Sequence, residues 1–596
     1  MKHATLLAVG AALGACPALA QPDVPSKVPI SFDRYYDAAQ LGQHLRAIAA
    51  AYPGIVTLQT IGKSIEGRDL LVAIVNNPRT GPDTSKPGMW IDGNIHGNEV
   101  QAGEVVLYTL WYLTKSYGQN EKLTTLLDTT AFYLMPTVNP DGRQFWFDHA
   151  NTPHSSRQNR RAIDHDLDGV AGEDPPDDLD GDGQITQMWK EDPAGRWVRS
   201  QTDERIFVRL RDDQTPAPGV KTYIHLGEEG IDNDLDGRIN EDGPFGDDMN
   251  RDWPSDWQPT HIQGGAGPYP LSSPETRAIA DFVLGHPNIA AAQSYHNAGG
   301  MILRGPGAAG RDPLYTRDDV RVYDELQRTG EQMLPYYRAM VLHRDLYGVR
   351  GGELNWFAEG LGVFAFTNEL WNEGKYFQRE STGPSEEQRW LWRDRLAFGQ
   401  LFSPYKEFDH PQFGRVLIGG LNKWSSRVTP TFMLEEECHR NFAFTMYHAE
   451  QMASLEWGRI DVRRQDGVGG AGGAGGAGSG LWQVTAEVRN THLFPTRSGT
   501  QQRDRIGRVD LWTLGGGPGT TVVAAARVDG WYDLFARPID HEPARVQMPE
   551  GVPGRAGRIV RWFVQSPEGA NVRMEYSSLR AMKIERTIEL RETGKR

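Results

Sequence analysis

The chain has little of three things. Cysteine occurs only at positions 16 and 438 of 596 residues, which leaves no basis for a disulfide framework. Long apolar runs are absent, because the most apolar stretch, Ala4 to Ala15, is too short to cross a bilayer. Positive charge is in deficit, with 63 Lys and Arg against 78 Asp and Glu and a formal net charge of −15. That balance argues against nucleic acid as a general partner.

The short apolar stretch has another explanation. Lys2 precedes it and Ala18-Leu19-Ala20 follows it, the order of a bacterial secretory signal peptide over residues 1–20. The expected location is secreted or periplasmic. Leu13-Gly14-Ala15-Cys16 also reads as a lipoprotein box, so a lipid anchor at Cys16 is the second processing route. Cleavage after Ala20 is the preferred reading, and it leaves Cys438 with no intrachain partner.

At roughly 100–200 residues per domain, the length implies at least two domains. Leu41, Leu45 and Ile48 recur at helical spacing before Pro53-Gly54. Ile55–Gln59 and Leu70–Val75 read as strands joined by a hairpin turn at Gly62–Arg68. Further strands are expected at Trp90–Gly93, Ala131–Val138, Ile289–Tyr295 and Val363–Thr367, with helices near Glu99–Tyr117 and from a Ser273 cap to Leu284. Asn139-Pro140-Asp141-Gly142 reads as a turn. This alternation predicts an α/β fold, a mixed twisted sheet flanked by helices, with sites beyond the carboxyl ends of its strands.

After Glu456 six short strand-like runs follow, which predict an all-β, sandwich-like domain over 457–596. The Gly/Ala tract within 467–480 reads as a long hairpin loop inside it, with no chemistry of its own.

His96 and Glu99 follow the strand ending at Gly93. An imidazole and a carboxylate three positions apart can reach one ion, and a catalytic zinc takes three protein ligands and keeps one open position. His296, at another strand end, is the third candidate. A lone His there is more often structural, but the joint pattern with Glu369 at a fourth strand end favours a metal centre.

These residues, with Gly62–Arg68, Asn139–Gly142, Arg157–Arg160, Asp248–Trp253, Ser294–His296, Tyr347 with Gly351-Gly352, and Phe366–Leu370, occur in the order of a known family. The chain resembles the carboxypeptidase A-like zinc metallocarboxypeptidases, whose His₂Glu zinc set is a standard example. The resemblance covers roughly Tyr35 to Leu370. It implies a catalytic domain over 29–455 interrupted by an acidic insertion at 158–249, and hydrolysis of the C-terminal bond of peptides or proteins.

The resemblance also implies roles. His96, Glu99 and His296 would hold Zn²⁺, with Asp248 fixing the ring of His96. Glu369 would be general base and then general acid. Arg157 would face the oxyanion, with Arg160 as the shifted alternative. Asn250 and Arg251 would clamp the terminal carboxylate, Tyr347 would close over it, and Leu354 would form the base of a pocket for apolar or aromatic ends. Asn98 and Asp252 depart from the family pattern, which bears on the outer subsites.

The insertion carries Asp164, Asp166 and Asp168 before Gly169, Asp178, Asp180 and Asp182 before Gly183, and Asp232, Asp234 and Asp236 before Gly237. Alternate carboxylates followed by Gly resemble a Ca²⁺ loop, although Trp189 and Gly243 stand where the twelfth-position Glu belongs. Glu173 and Glu241 are candidate substitutes, and at least one loop is expected to bind Ca²⁺. Two other functions remain open at this point: a same-fold peptidase acting on cell-wall stem peptides, and a non-catalytic surface binding protein.

Overall fold

A computed structural model describes residues 24–164, 167–310, 314–377, 386–465 and 479–592. Residues 1–23 with Cys16, Asp166, and residues 467–478 of the Gly/Ala tract lie outside the described residues.

An eight-stranded sheet organises the N-terminal part. Helix α1 (Ala38–Ala51) opens with a capping box at Asp37 and Gln40 and buries Leu41, Leu45 and Ile48, so its apolar stripe faces the core. Strands β1 (Val56–Lys63) and β2 (Asp69–Val75) form the antiparallel hairpin around Gly62–Arg68. Strand β3 (Gly88–Gly93) is buried throughout, helix α2 (Gln101–Ser116) packs against it, and helix α3 (Glu121–Thr129) leads to β4 (Ala131–Met135).

The strand order is β1-β2-β4-β3, followed by the strands Ile289–Asn297, Phe364–Leu370, Met301–Arg304 and Arg338–Val341. β3 is parallel to both β4 and Ile289–Asn297, and Phe364–Leu370 is parallel to Ile289–Asn297. Parallel strands deliver their carboxyl ends to one edge. Gly93 therefore pairs in register with Tyr295, and His296 pairs with Glu369. Helix Thr431–Glu450, which the sequence pattern did not single out, packs on α2 and on strand Ile289–Asn297.

Several local expectations change. Asn139–Gly142 is no isolated turn, because Asn139 caps helix α4 (Pro140–Asp148) by accepting from Gly142 N at 2.8 Å, with Pro140 at its first position. A cap, Pro at the first position and a turn share the same residue types, and only the following residues distinguish them. Ser273 occupies the cap of helix Pro274–Gly285 without a side-chain cap bond; its Oγ accepts from Asn159 Nδ2 instead.

The acidic insertion has more structure than its composition implies. Its strands Gln187–Glu191, Trp197–Arg199, Phe207–Arg209 and Thr222–Glu228 join the hairpin Phe402–His410 and Gly414–Leu421 in a six-stranded sheet. Trp189 stacks on Phe207 with ring centroids 3.9 Å apart, and Met188, Val416 and Ile418 form a small core.

From Leu455 onward the chain is β-rich. A five-stranded and a four-stranded sheet enclose one core that includes Trp482, Trp512 and Trp562, consistent with a sandwich. Strands Leu455–Arg464 and Ser479–Asn490 pair antiparallel on either side of the Gly/Ala tract.

Candidate active site

The His96 loop is held from beneath. Asn94, with φ of 59°, turns the chain after β3 and donates from Nδ2 to His96 O at 2.7 Å. A Cβ at Gly97 would lie 2.4 Å from Ser156 O and 2.5 Å from Gly142 C, so only glycine fits between His96 and Glu99 at this point. Arg143, fully buried, donates to Tyr36 O, Asn94 Oδ1, Val100 O and Glu104 Oε1. One guanidinium thereby ties α4, the loop and the start of α2 together.

His96, Glu99 and His296 converge, with their ligand atoms within 4.8 Å of one another. His96 Nδ1 and His296 Nδ1 are 3.2 Å apart, and each is 3.0 Å from a Glu99 oxygen. A tetrahedral ion with bonds of about 2.0–2.1 Å requires neighbouring ligand atoms about 3.3 Å apart. Two nitrogens and a carboxylate at this spacing therefore fit Zn²⁺. The Nε2–H of His96 is directed at Asp248 Oδ1, 3.0 Å away. Burial favours a neutral Asp248, but His96, Arg157 and Arg251 outweigh it and hold the carboxyl well below its usual range.

Around this centre lies a cavity of about 220 Å³. Glu369, Arg157, Asn250, Arg251 and Tyr347 all line it. Burial, reinforced by the charge of Glu99, pushes Glu369 up to about 7 against the pull of His296 and Arg157. Arg157 reaches both Glu99 Oε1 and Asp248 Oδ2 at 3.2 Å. Arg160 turns away, bonded to Glu66 and to Pro244 O and lying over the Phe145 ring. Asn250 Oδ1 accepts from Glu353 N at 2.9 Å, which ties this turn to the segment carrying Leu354. Tyr347 is 49% exposed on the rim, whereas Leu354 is buried in a wall shared with Leu303 and Leu342.

In the insertion, carboxylate oxygens gather in three groups: Asp168, Glu173 and Asp234; Asp178, Asp180 and Glu229; and Asp232, Asp234 and Asp236. Asp164 and Asp182 belong to none of these groups and, like Asp168, Asp178 and Asp232, accept backbone N–H groups within their own loops. Glu241 joins none of the three groups. Glu229 escaped the sequence pattern because it lies far along the chain from the loop it faces, where it accepts from Thr186 N and Leu179 N. Burial pushes its carboxyl up to about 7.

Arg427 also escaped it. This residue lines the central cavity from the loop after strand Gly414–Leu421, in a Ser-Ser-Arg context that carries no motif.

An imidazole-carboxylate metal centre beside a basic, mainly polar cavity with one apolar wall defines a zinc-hydrolase type of site on an α/β sheet. The family is named by comparison. A model of the zinc carboxypeptidase family matches residues 41–391, more than half of the chain, and the protein belongs to that family. A second match, to a domain of unknown function (DUF8731), covers residues 475–589.

Carboxypeptidase A2 of Mus musculus is 24% identical over 376 residues, which is 61% of this chain and 69% of that protein. Carboxypeptidase D of Anas platyrhynchos is 33% identical over 133 residues, 21% of this chain and only 10% of that protein's length. Among solved structures, thrombin activatable fibrinolysis inhibitor aligns with 19% identity and a TM-score of 0.42, covering 70% of this chain and 74% of that one.

Proposed function

We propose that the protein is an exported zinc metallocarboxypeptidase that removes C-terminal residues, apolar or aromatic ones first, from peptides or proteins. The observation that carries this reading is that one cavity brings together the His96, Glu99 and His296 ligand set, the Glu369 carboxylate and the Asn250–Arg251 pair.

When bound, Zn²⁺ supplies Lewis-acid activation of water and of the scissile carbonyl. The remaining work falls to side chains. Arg251 and Asn250 hold the free carboxylate, where a guanidinium's planar fork suits two oxygens. Glu369 accepts the proton of the attacking water and passes it to the leaving nitrogen, a task suited to a carboxyl raised toward neutral pH. Arg157 faces the carbonyl oxygen as it gains charge. Tyr347 covers the bound end, and Leu354, Leu303 and Leu342 accept an apolar side chain while excluding water.

The leader-like residues 1–20 support export, with lipidation of Cys16 as the other processing route. Residues 457–596 are proposed as a separate β-module. The carboxylate groups of the insertion support Ca²⁺ binding there, with Glu229 as the third contributor beside Asp178 and Asp180. Isothermal titration with Ca²⁺, for the wild type and Asp178→Ala, tests this part.

The principal test is release of free amino acids from peptides with free or amidated ends, by wild type and Glu369→Gln, with and without zinc. Release that needs the free end, zinc and Glu369 supports the reading. Equal cleavage of amidated peptides removes the clamp role. Release only from cell-wall stem peptides redirects the substrate class, and no release from any substrate favours a binding protein.

A further inference from the structure

Three guanidiniums line the central cavity, those of Arg157, Arg251 and Arg427. The proposed reaction uses two of them. Arg427 stands apart from the terminal-carboxylate clamp, since it is held by different elements. Its Nη1 donates to Asn297 O at 2.8 Å and lies 3.4 Å from Glu99 Oε1, while Nε and Nη2 lie 3.1 and 3.0 Å from His154 Nδ1. The clamp residue Asn250 is instead tied to Glu353 N.

This tethering matters. A backbone carbonyl on one side and an imidazole on the other fix the plane of a side chain that is otherwise rich in rotamers, so little ordering remains to be done when an anion arrives. The side chain keeps 23% of its surface exposed, so the guanidinium remains reachable from the cavity. Its anchor Asn297 directly follows the ligand His296, which places Arg427 against the metal centre rather than on the distant surface.

Substrate direction follows from the two anchors. With the terminal carboxylate on Asn250 and Arg251 and the terminal side chain beside Leu354, the scissile carbonyl lies over the metal ligands. Arg427 lines the same cavity, with its Nη1 3.4 Å from Glu99 Oε1 and 2.8 Å from Asn297 O, which puts its guanidinium beside the metal ligands and within reach of the residue that precedes this bond. Charge points the same way. With a divalent ion in place, Arg157, Arg251 and Arg427 against Glu99, Glu369 and Asp248 leave one positive charge more than a single terminal carboxylate neutralises. An excess charge in a partly desolvated cavity is stabilised by an opposite charge brought in with the substrate.

We propose that Arg427 binds an anionic group on the substrate residue just before the scissile bond, so that the enzyme prefers peptides whose penultimate residue carries a carboxylate. This rests on the carboxypeptidase reading above. It makes Arg427 a specificity residue for the non-terminal side of the cut.

The test uses three free-ended peptides that differ only at the penultimate position, Glu, Gln or Ala before a terminal Phe. Full-length zinc-loaded wild type, Arg427→Gln and Arg427→Lys are compared, with zinc content measured in each. Tight binding to the inactivated Glu369→Gln protein is measured in parallel by calorimetry. The expected result is a preference for Glu over Gln of roughly tenfold or more in kcat/KM, the scale of one charge-assisted hydrogen bond. It should be expressed mainly in KM, be lost in Arg427→Gln, and be partly kept in Arg427→Lys, with zinc content unchanged.

Equal turnover of Glu and Gln peptides by the wild type, or a Glu preference that survives Arg427→Gln, overturns the proposal while leaving the carboxypeptidase reading intact. Loss of zinc in Arg427→Gln with the peptide preference unchanged also overturns it, and assigns the residue to support of Glu99. Neither cleavage nor binding of any of the three peptides overturns both.

Discussion

Asp248 faces the Nε2–H of His96 across 3.0 Å, and this contact turns the opposite ring nitrogen, Nδ1, toward Glu99 and His296. The same carboxylate meets Arg157 at 3.2 Å through its other oxygen. One side chain thus bears on both the tautomer of His96 and the position of the Arg157 guanidinium. Groups that orient a metal's ligands contribute to affinity without touching the ion.

Replacing Asp248 is therefore expected to weaken zinc binding before it affects the fold. Asp248→Ala should lower zinc affinity by about 10–100-fold, and Asp248→Asn, which keeps an acceptor but loses the charge, should lower it less. Competition with a chromogenic chelator measures both, and unchanged affinity in Asp248→Ala would remove the residue from the metal's support.

Arg143 and Glu104 form an ion pair with both side chains fully buried. Removing one partner of such a pair costs about 3–5 kcal/mol because the other charge stays buried and unmatched. Arg143→Met should show this loss in denaturant unfolding, and adding Glu104→Gln should recover part of it. The absence of any recovery would place the cost in the lost contacts to Asn94 and Val100 instead.

Glu275 gives a pH dependence away from the metal. It is 1% exposed, its Oε1 accepts from Ile65 N, and burial pushes its carboxyl up to about 7 from an ordinary value near 4.5. The folded state thus holds a proton that the unfolded chain releases, so stability falls as pH rises from about 4.5 to 7 and then levels off. Glu275→Gln should remove this fall. Its melting temperature relative to wild type should rise between pH 5 and pH 8, and a constant difference would contradict the account.

Leu354 lies in an apolar wall with Leu303 and Leu342. Leu354→Asp places a carboxylate at the base of the proposed terminal pocket and should shift the ratio of release of terminal Arg to terminal Phe upward by at least about tenfold, the scale at which a placed polar group discriminates. Parallel assays on two peptides check it, and an unchanged ratio would locate the terminal side chain elsewhere.

Many elements were legible along the chain because their causes are local. Asp37 and Gln40 cap α1 through near neighbours, the β1–β2 hairpin follows from its turn residues, and a turn-ended apolar run forecasts β3. The candidate ligands were legible for a related reason. Each lies at or just beyond a strand end, and parallel register must carry such ends to one edge of a sheet.

The sequence by itself determined which chemistry the chain holds: two imidazoles and a carboxylate in the family's order, a strand-end Glu369, and an Asn-Arg pair. Tertiary structure decided what surrounds that chemistry. It turned Arg157 toward the cavity and Arg160 onto Phe145, brought Glu229 back to Asp178 and Asp180, folded the acidic insertion into a sheet with Phe402–Leu421, and placed Arg427 beside Asn297. These contacts join residues that share no local pattern, so their positions follow from the packing of whole elements, which spacing along the chain does not encode.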